Sequence, residues 1–344
     1  WSYQSKSFSV ASQEATPTGI AFNSDSTKMY VCGEGGDSIY QYTLSTAGDV
    51  STASYDSVSL SVASQSDAPR SIVFNDDGTS LYICGTNAPA RAFQYTLTTA
   101  YDLSTASYAS KSFTVSSQEL YPCGLIFNAD GTAMYIVGSQ NDTIYQYTLS
   151  TGFDVTTASY ASKSFSVSSL DTSPTGIEFN SDGTKIYVVG ENSDKIHALS
   201  LSTAYDISTA SSDGESLDIS GQGGTPRDVT FANNYSNIYT LDSGNDTAFQ
   251  YFASSYINQM DKTQLDAVTD PNHIALGNDL DLAIVFNMTS GTTVPSSDGV
   301  AINYDANVVN KGAVLGTDYD FDAPAQNSVR ITALAGNNLK VRVV

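Results

Sequence analysis

The nine residues FNSDSTKMY (Phe22–Tyr30) return along the chain as FNDDGTSLY from Phe74, FNADGTAMY from Phe127, FNSDGTKIY from Phe179 and a degraded FANNYSNIY from Phe231. The spacings are 52, 53, 52 and 52 residues, so copies of one unit fill roughly the first 250 residues. A period that long makes each unit a supersecondary structure of several elements, not one turn of a solenoid. In the third copy, PCGLIFN (Pro122–Asn128) is an apolar run closed by Asp130-Gly131, a pair suited to a tight hairpin. AMYIVG (Ala133–Gly138) returns, and SQNDT leads into the alternating IYQYTL (Ile144–Leu149). A longer Ser/Thr/Ala link, STGFDVTTASYAS, precedes KSFSV (Lys163–Val167).

Four short strands with apolar residues on both faces describe a sheet packed between two neighbours, which is the blade of a propeller. The phase of the repeat supplies the closure. The fifth unit has three strands within Pro226–Ala253 and no outer strand after them, whereas the chain opens on WSYQSKSFSV, an outer strand with no blade before it. Lys6–Val10 therefore completes blade five. The expectation is an all-β chain: a five-bladed β-propeller at 1–253, its N-terminal strand closing the last blade, and no open edge left. The invariant Phe22, Phe74, Phe127, Phe179 and Phe231 read as core, with Phe127 expected to be fully buried between blades.

Composition shifts after Ala253. Residues 254–272 read as a linker, with a short helical turn at Met260–Val268. From 273 to 344, short β runs such as DLAIVFNM (Asp281–Met288), GVAINYD (Gly299–Asp305) and LKVRVV (Leu339–Val344) are separated by turn clusters, as in a small Ig-like β-sandwich. Trp1 aligns with Ala53 inside the STASY segment between units, so the chain is expected to be an excerpt or processed product of something longer.

Charge narrows the partners. In 344 residues, 14 Lys+Arg face 36 Asp+Glu, a formal charge of −22, and a phosphate-backbone binder needs clustered cations that are absent here. No run approaches the ~18 apolar residues of a membrane span. Cys32, Cys84 and Cys123 form no CxxC, and His197 and His273 lie far apart, so neither a disulfide framework nor a His-rich metal enzyme is supported. His197 fills the slot of Tyr40, Phe93, Tyr145 and Phe249, a packing position. Glu178 stands where the other units have Ala21, Val73, Ile126 and Thr230; a buried carboxylate needs a partner, and Arg227 on the next blade is the expected one.

Scaffold positions repeat, whereas a grafted site breaks the repeat. Variation concentrates in the crossovers between units and in the second hairpins, which share one rim. That rim is acidic, with Glu14, Asp67, Glu119 and Asp171 from the crossovers and Glu34, Asp37, Asp142, Glu191, Asp194, Asp242 and Asp246 from the hairpins. Exposed loops carry function disproportionately. The candidate binding residues are Glu119, Leu120 and Tyr121, the hairpin residues Asn87, Pro89 and Arg91, and Asp142 and Asp194. Aromatic and arginine side chains anchor interfaces and suit sugars. Calcium is the one cofactor these carboxylates admit, although no DxDxDG-type loop is present.

The pattern PTGIAFNSDSTKMY…NDTIYQYTLST resembles propeller repeats of marine bacteriophage virion and tail-fibre proteins, and SSDGVAINYDA and NLKVRVV resemble C-terminal modules of such appendages. The resemblance covers about 1–253 for the propeller. It implies a non-enzymatic virion protein, extracellular, whose partners are other virion proteins, a host receptor or glycan, or a second copy of the chain. A bacterial surface adhesin is the first alternative and a glycan-cleaving propeller enzyme the second.

Overall fold

The computed structural model describes residues 1–86, 89–232, 235 and 237–252, with five short strands between 274 and 343. These divide into two compact units, Tyr3–Phe252, and residues 253–344 with Trp1–Ser2. The chain opens on β1 (Ser2–Ser9). Blade one follows as β2 (Pro17–Phe22), β3 (Lys28–Gly33), β4 (Ser38–Leu44) and β5 (Ala53–Ser61), and blade two as β6 (Pro69–Phe74), β7 (Ser80–Gly85), β8 (Arg91–Leu97) and β9 (Ala106–Thr114). Blade three is β10 (Pro122–Phe127), β11 (Ala133–Gly138), β12 (Thr143–Leu149) and β13 (Ala158–Ser166); blade four is β14 (Pro174–Phe179), β15 (Lys185–Gly190), β16 (Lys195–Leu201) and β17 (Ala210–Asp218). Blade five has β18 (Pro226–Ala232), β19 (Asn237–Asp242) and β20 (Thr247–Phe252). Its sheet order is β18-β19-β20-β1, so the first strand of the chain is the outer strand of the last blade. The five-bladed antiparallel ring and its clasp stand as the repeat phase requires.

The outer strands are longer than the sequence suggests. Half of the STGFDVTTASYAS link is strand, because Ser162, like Ser5, Ser57 and Ser110, takes a positive φ near 57° and forms a bulge that lets pairing continue across it. Just before that strand lies a short 3₁₀ turn at Val155–Thr157, capped by Asp154, whose carboxylate accepts the Thr156 N–H.

Blade-to-blade contact is made by repeated polar and aromatic pairs. Tyr30, Tyr82 and Tyr135, on the second strands, stack on Phe74, Phe127 and Phe179 of the next blade at 4.7, 4.6 and 4.8 Å between ring centres. Their hydroxyls donate to the Tyr101, Phe153 and Tyr205 carbonyls of that blade. Gln41, Gln94 and Gln146 accept the Leu103, Val155 and Ile207 N–H groups in the same direction. Across the closure, Tyr239 donates to Gly48 O, Phe22 stacks on Tyr239 at 4.4 Å, and Gln250 accepts the Val50 N–H. Lys6 on the clasp pairs with Asp49 at 2.7 Å, as Lys111 and Lys163 pair with Asp154 and Asp206. The conserved phenylalanines are not all sealed, however. Phe127 is only partly buried: its ring packs on Tyr82 and Phe153, and the residue lines the central cavity.

At the axis, the third residue of each inner strand is Gly19, Ser71, Gly124, Gly176 or Asp228. A Cβ on Gly124 would lie 2.9 Å from Val137 and 3.2 Å from the Ile177 nitrogen, so neighbouring inner strands leave no room there. Where a side chain is present it bridges blades: Ser71 Oγ accepts the Leu125 N–H at 3.2 Å.

In the C-terminal unit, β21 (Ile274–Leu276), β22 (Leu282–Asn287) and β25 (Asn338–Val343) form one antiparallel sheet, and β23 (Tyr319–Asp322) with β24 (Arg330–Ala333) another. The linker 254–272, the turn at Met260–Val268 and Gly299–Asp305 lie outside the described residues.

Two outcomes are expected. Deleting residues 1–10 removes Phe8 from Tyr42 and Lys6 from Asp49 and bares the edge of β20, so the truncated protein should melt at least about 10 °C lower in a thermal scan, or aggregate. Phe127→Ala should cost about 2–3 kcal/mol in urea unfolding, below the ~3–5 kcal/mol of a fully enclosed aromatic.

Candidate active site

The turns that join first to second strands gather at one mouth of the ring, and each is built from Asn and Asp side chains that fix their own main chain. Asn128 Oδ1 accepts the Ala133 N–H at 2.7 Å, and Asp130 accepts the N–H and hydroxyl of Thr132. These turns surround a cavity of ≈480 Å³. Aromatic rings line it between the asparagines and serines of the turns. Gly78, Gly131 and Gly183 take φ near +70°, and the ring of Tyr101, Phe153 or Tyr205 covers each glycine so closely that a Cβ would lie within 2.4 Å of it. In blade five Tyr235 itself occupies the glycine position, at φ 62°. Blade one has Ser26 at the turn and Gly48 in place of the covering ring, so the collar is open on that side.

Two carboxyls line the floor, on adjacent inner strands. Glu178 accepts the Phe179 N–H at 2.9 Å and the Thr230 hydroxyl at 3.2 Å. Burial outweighs these bonds and lifts its pKa to about 7. Asp228, 6% exposed, accepts the Ile20 N–H of blade one and its neighbour's Val229 N–H, both at 2.9 Å. Burial pushes it well above the usual carboxylate range, and Glu178 adds to that rise.

Several sequence expectations change. Arg227 does not reach Glu178. It sits near the far end of its strand, where its guanidinium pairs with Glu191 and donates to Ser243; three residues of extended strand, about 10 Å, separate its position from that of Thr230. Asp228, which the motif reading passed over, is the second carboxyl of the cavity. It breaks the repeat at a slot otherwise held by Gly or Ser, and that is the signal by which the sequence could have yielded it.

The acidic rim is also different in kind. Glu119 is fully buried, not exposed. Its carboxylate accepts the Tyr121 N–H at 2.9 Å and the Gln140 and Asn141 N–H groups at 3.3 and 3.4 Å, tying the crossover to the hairpin, and burial raises its pKa. Glu14 and Asp171 do the same in their blades. Leu120 and Tyr121 are exposed, at 46% and 53%. Asp142 and Asp194 adopt φ of 47° and 49°, which turns their carbonyls onto the Val167 and Ile219 N–H groups; burial is the first cause of their raised carboxyl pKa values. Arg91 donates to Ser112 at 3.1 Å, Pro89 is exposed, and Asn87 lies outside the described residues. The crossovers enter the inner strands at their first residues and the hairpins join second to third strands on the same side, at the opposite mouth from the cavity. Among the described residues no three His, Cys, Asp or Glu side chains gather as metal ligands.

His197 occupies the packing slot of Tyr40 and Tyr145, opposite Val188, and its Nε2 lies 3.1 Å from Ser193 Oγ. Burial lowers its pKa. Cys32 and Cys84 are buried free thiols; burial pushes Cys32 up to about 12, far from a reactive thiolate.

Residues 9–204 match the family described as lactonase, 7-bladed β-propeller. No curated protein matches the chain. Among solved structures, a functionally unknown protein from Desulfotomaculum acetoxidans is 14% identical, with a TM-score of 0.43 over 93% of this chain and 90% of that one. Sqt1 from Chaetomium thermophilum is 14% identical, with a TM-score of 0.38 over 69% of this chain and 60% of its own. A chain of a nidogen/laminin complex is 14% identical, with a TM-score of 0.41 over 71% and 78%. The family match overturns the expectation of a non-enzymatic virion or adhesin protein, since the matched family is one of enzymes. With more than half of its length under that one description, the chain belongs to the lactonase β-propeller family, here in a ring of five blades.

Proposed function

We propose that the protein is a hydrolase that opens a cyclic ester in the cavity, with Glu178 as its proton-transfer group. The observation that carries this reading is a carboxyl of pKa about 7, facing an open aromatic cavity from a slot that is uncharged in every other blade. A group half ionised near neutrality is suited to act first as base and then as acid. Glu178 takes a proton from water, and the water oxygen attacks the lactone carbonyl. The ring C–O bond then breaks, and the proton passes from Glu178 to the departing alkoxide, leaving a hydroxy acid. Thr230 orients the carboxylate through its hydroxyl. The family description supports the lactone as substrate class.

Glycoside cleavage, the other hydrolytic reading, is less well supported. It generally needs two working carboxyls, and Asp228, only 6% exposed, is tied into the ring by two main-chain N–H groups and is less open to the cavity than Glu178. Asp228 holds blade five to blade one and shapes the floor. For residues 273–344 the Ig-like sandwich is retained as a proposal, supported by the two antiparallel sheets among its described strands.

Two measurements on Glu178→Gln test the reading. Lactone hydrolysis followed in a pH-stat should rise with pH in the wild type and level off above the Glu178 pKa of about 7. The variant should lose about 10²-fold or more of kcat/KM with the pH dependence abolished; unchanged rates would refute the assignment. Stability should move the other way. A carboxyl whose folded pKa lies above 4.5 stabilises the fold at low pH and loses that contribution as pH rises through about 7. The variant should therefore melt above the wild type at pH 8.5 and level with it near pH 4.

A further inference from the structure

We infer that the cavity accepts uncharged ring-shaped ligands and turns anions away, so that the substrate is a lactone bearing neither phosphate nor carboxylate, with Asp76 setting this selection at the mouth. The word lactone rests on the proposed hydrolase reading; the charge selection stands on the cavity alone.

No lysine, arginine or histidine lines the cavity among the described residues. The arrangement of the nearest cations explains why. Lys28 and Lys185 open the second strands just beyond the turns, yet both are drawn outward: Lys28 to Asp56 on β5 at 3.2 Å, and Lys185 to Glu215 on β17 at 2.5 Å. Arg70 and Arg227 belong to the opposite ends of the inner strands, where Glu34 and Glu191 hold them. A phosphate or carboxylate entering the cavity would meet aromatic faces, acids and the neutral amides and hydroxyls of the turns, with no counter-charge to offset the loss of its water.

Asp76 adds a specific element. In the other four units its slot holds Ser24, Ala129, Ser181 and Asn233, so the carboxyl is a departure from the repeat, as Glu178 and Asp228 are. It lines the cavity on blade two, and Tyr205 and Tyr235 of blades four and five line the same cavity. Its main-chain carbonyl accepts the Tyr101 hydroxyl at 2.7 Å, which fixes the turn. The rings of Tyr101, Phe153 and Tyr205 offer apolar faces to the C–H surface of a small ring, and ≈480 Å³ suits a ligand of one or two rings.

The test uses the full chain and a matched pair of hydroxylated δ-lactams, one neutral and one carrying a phosphate on the exocyclic carbon. Both are inert to hydrolysis, so calorimetry reads binding without turnover. The neutral lactam should bind at least about 30-fold more tightly at low salt. Asp76→Asn should narrow that ratio by about 3–10-fold, through tighter binding of the phosphorylated partner, and 0.5 M salt should narrow it in the wild type. Equal or tighter binding of the phosphorylated lactam, or no binding of the neutral one, would overturn the inference, as would an Asp76→Asn ratio equal to that of the wild type. Hydrolysis of the corresponding lactones is measured in parallel. Selective lactam binding with no turnover of either lactone would leave the charge selection standing and remove the hydrolase reading instead.

Discussion

Each blade leans on the next through one tyrosine of its second strand, which packs its ring against the following blade's inner-strand phenylalanine; Tyr30, Tyr82, Tyr135 and Tyr239 also give their hydroxyls to that blade's main chain. The Tyr82–Phe127 contact at 4.6 Å with the Tyr82 hydroxyl on Phe153 O is the type case. An aromatic pair of this kind fixes both the distance and the relative tilt of two sheets, because the hydroxyl must reach a single carbonyl. Repeated around the ring, it sets the wedge angle that five blades must share. The contact also decides what the cavity is made of: the phenylalanines lie between that tyrosine and the rings of Tyr101, Phe153, Tyr205 and Tyr235, and they line the cavity together with those rings. The aromatic collar is therefore a consequence of how the blades are joined.

A ring of few blades brings its inner strands close together, and the glycines at their third positions mark where backbone meets backbone. Into this crowded ring the chain inserts Asp228, whose carboxyl spans to the Ile20 N–H across the seam where the ends of the propeller chain meet. The bond contributes to closure but places an acid where water is scarce, next to Glu178. Both carboxyls are consequently held at raised pKa values, which no isolated strand residue would show. The reactive character proposed for Glu178 thus depends on the tightness of the ring.

The repeat made most of the architecture legible. Period, strand count and the clasp all follow from phase, because an outer strand at the start of the chain and a missing one at the end have a single economical solution. The bulge at Ser162 was hidden because a serine at positive φ has no sequence mark of its own. The site was legible only in part. Glu178 stood out as a charge in an apolar slot, but its environment depends on depth at the axis, which spacing does not reveal. Glu119 misled for the converse reason: an acid in a loop reads as solvated, whereas its loop folds back and three N–H groups close over it. Asp228 and Asp76 were visible as departures from the repeat once inner-strand and first-turn positions were compared as closely as the rim loops.

The two mouths of the ring differ because their turns solve different problems. At the rim, crossover and hairpin must be tied across a gap, and buried carboxylates of Glu14, Glu119 and Asp171 do this by accepting main-chain N–H groups. Acidic residues there are part of the scaffold. At the cavity mouth the turns close on themselves through Asn and Asp pairs and need no such tie, so a carboxyl such as Asp76 is left to face the opening. One residue type therefore carries two meanings in this protein, and burial with satisfied donors is what separates them. Asp228 and Glu178 both have each oxygen hydrogen-bonded, and exposure is what divides them: the backbone of the ring closes over Asp228, whereas Glu178 keeps part of its surface open to the cavity.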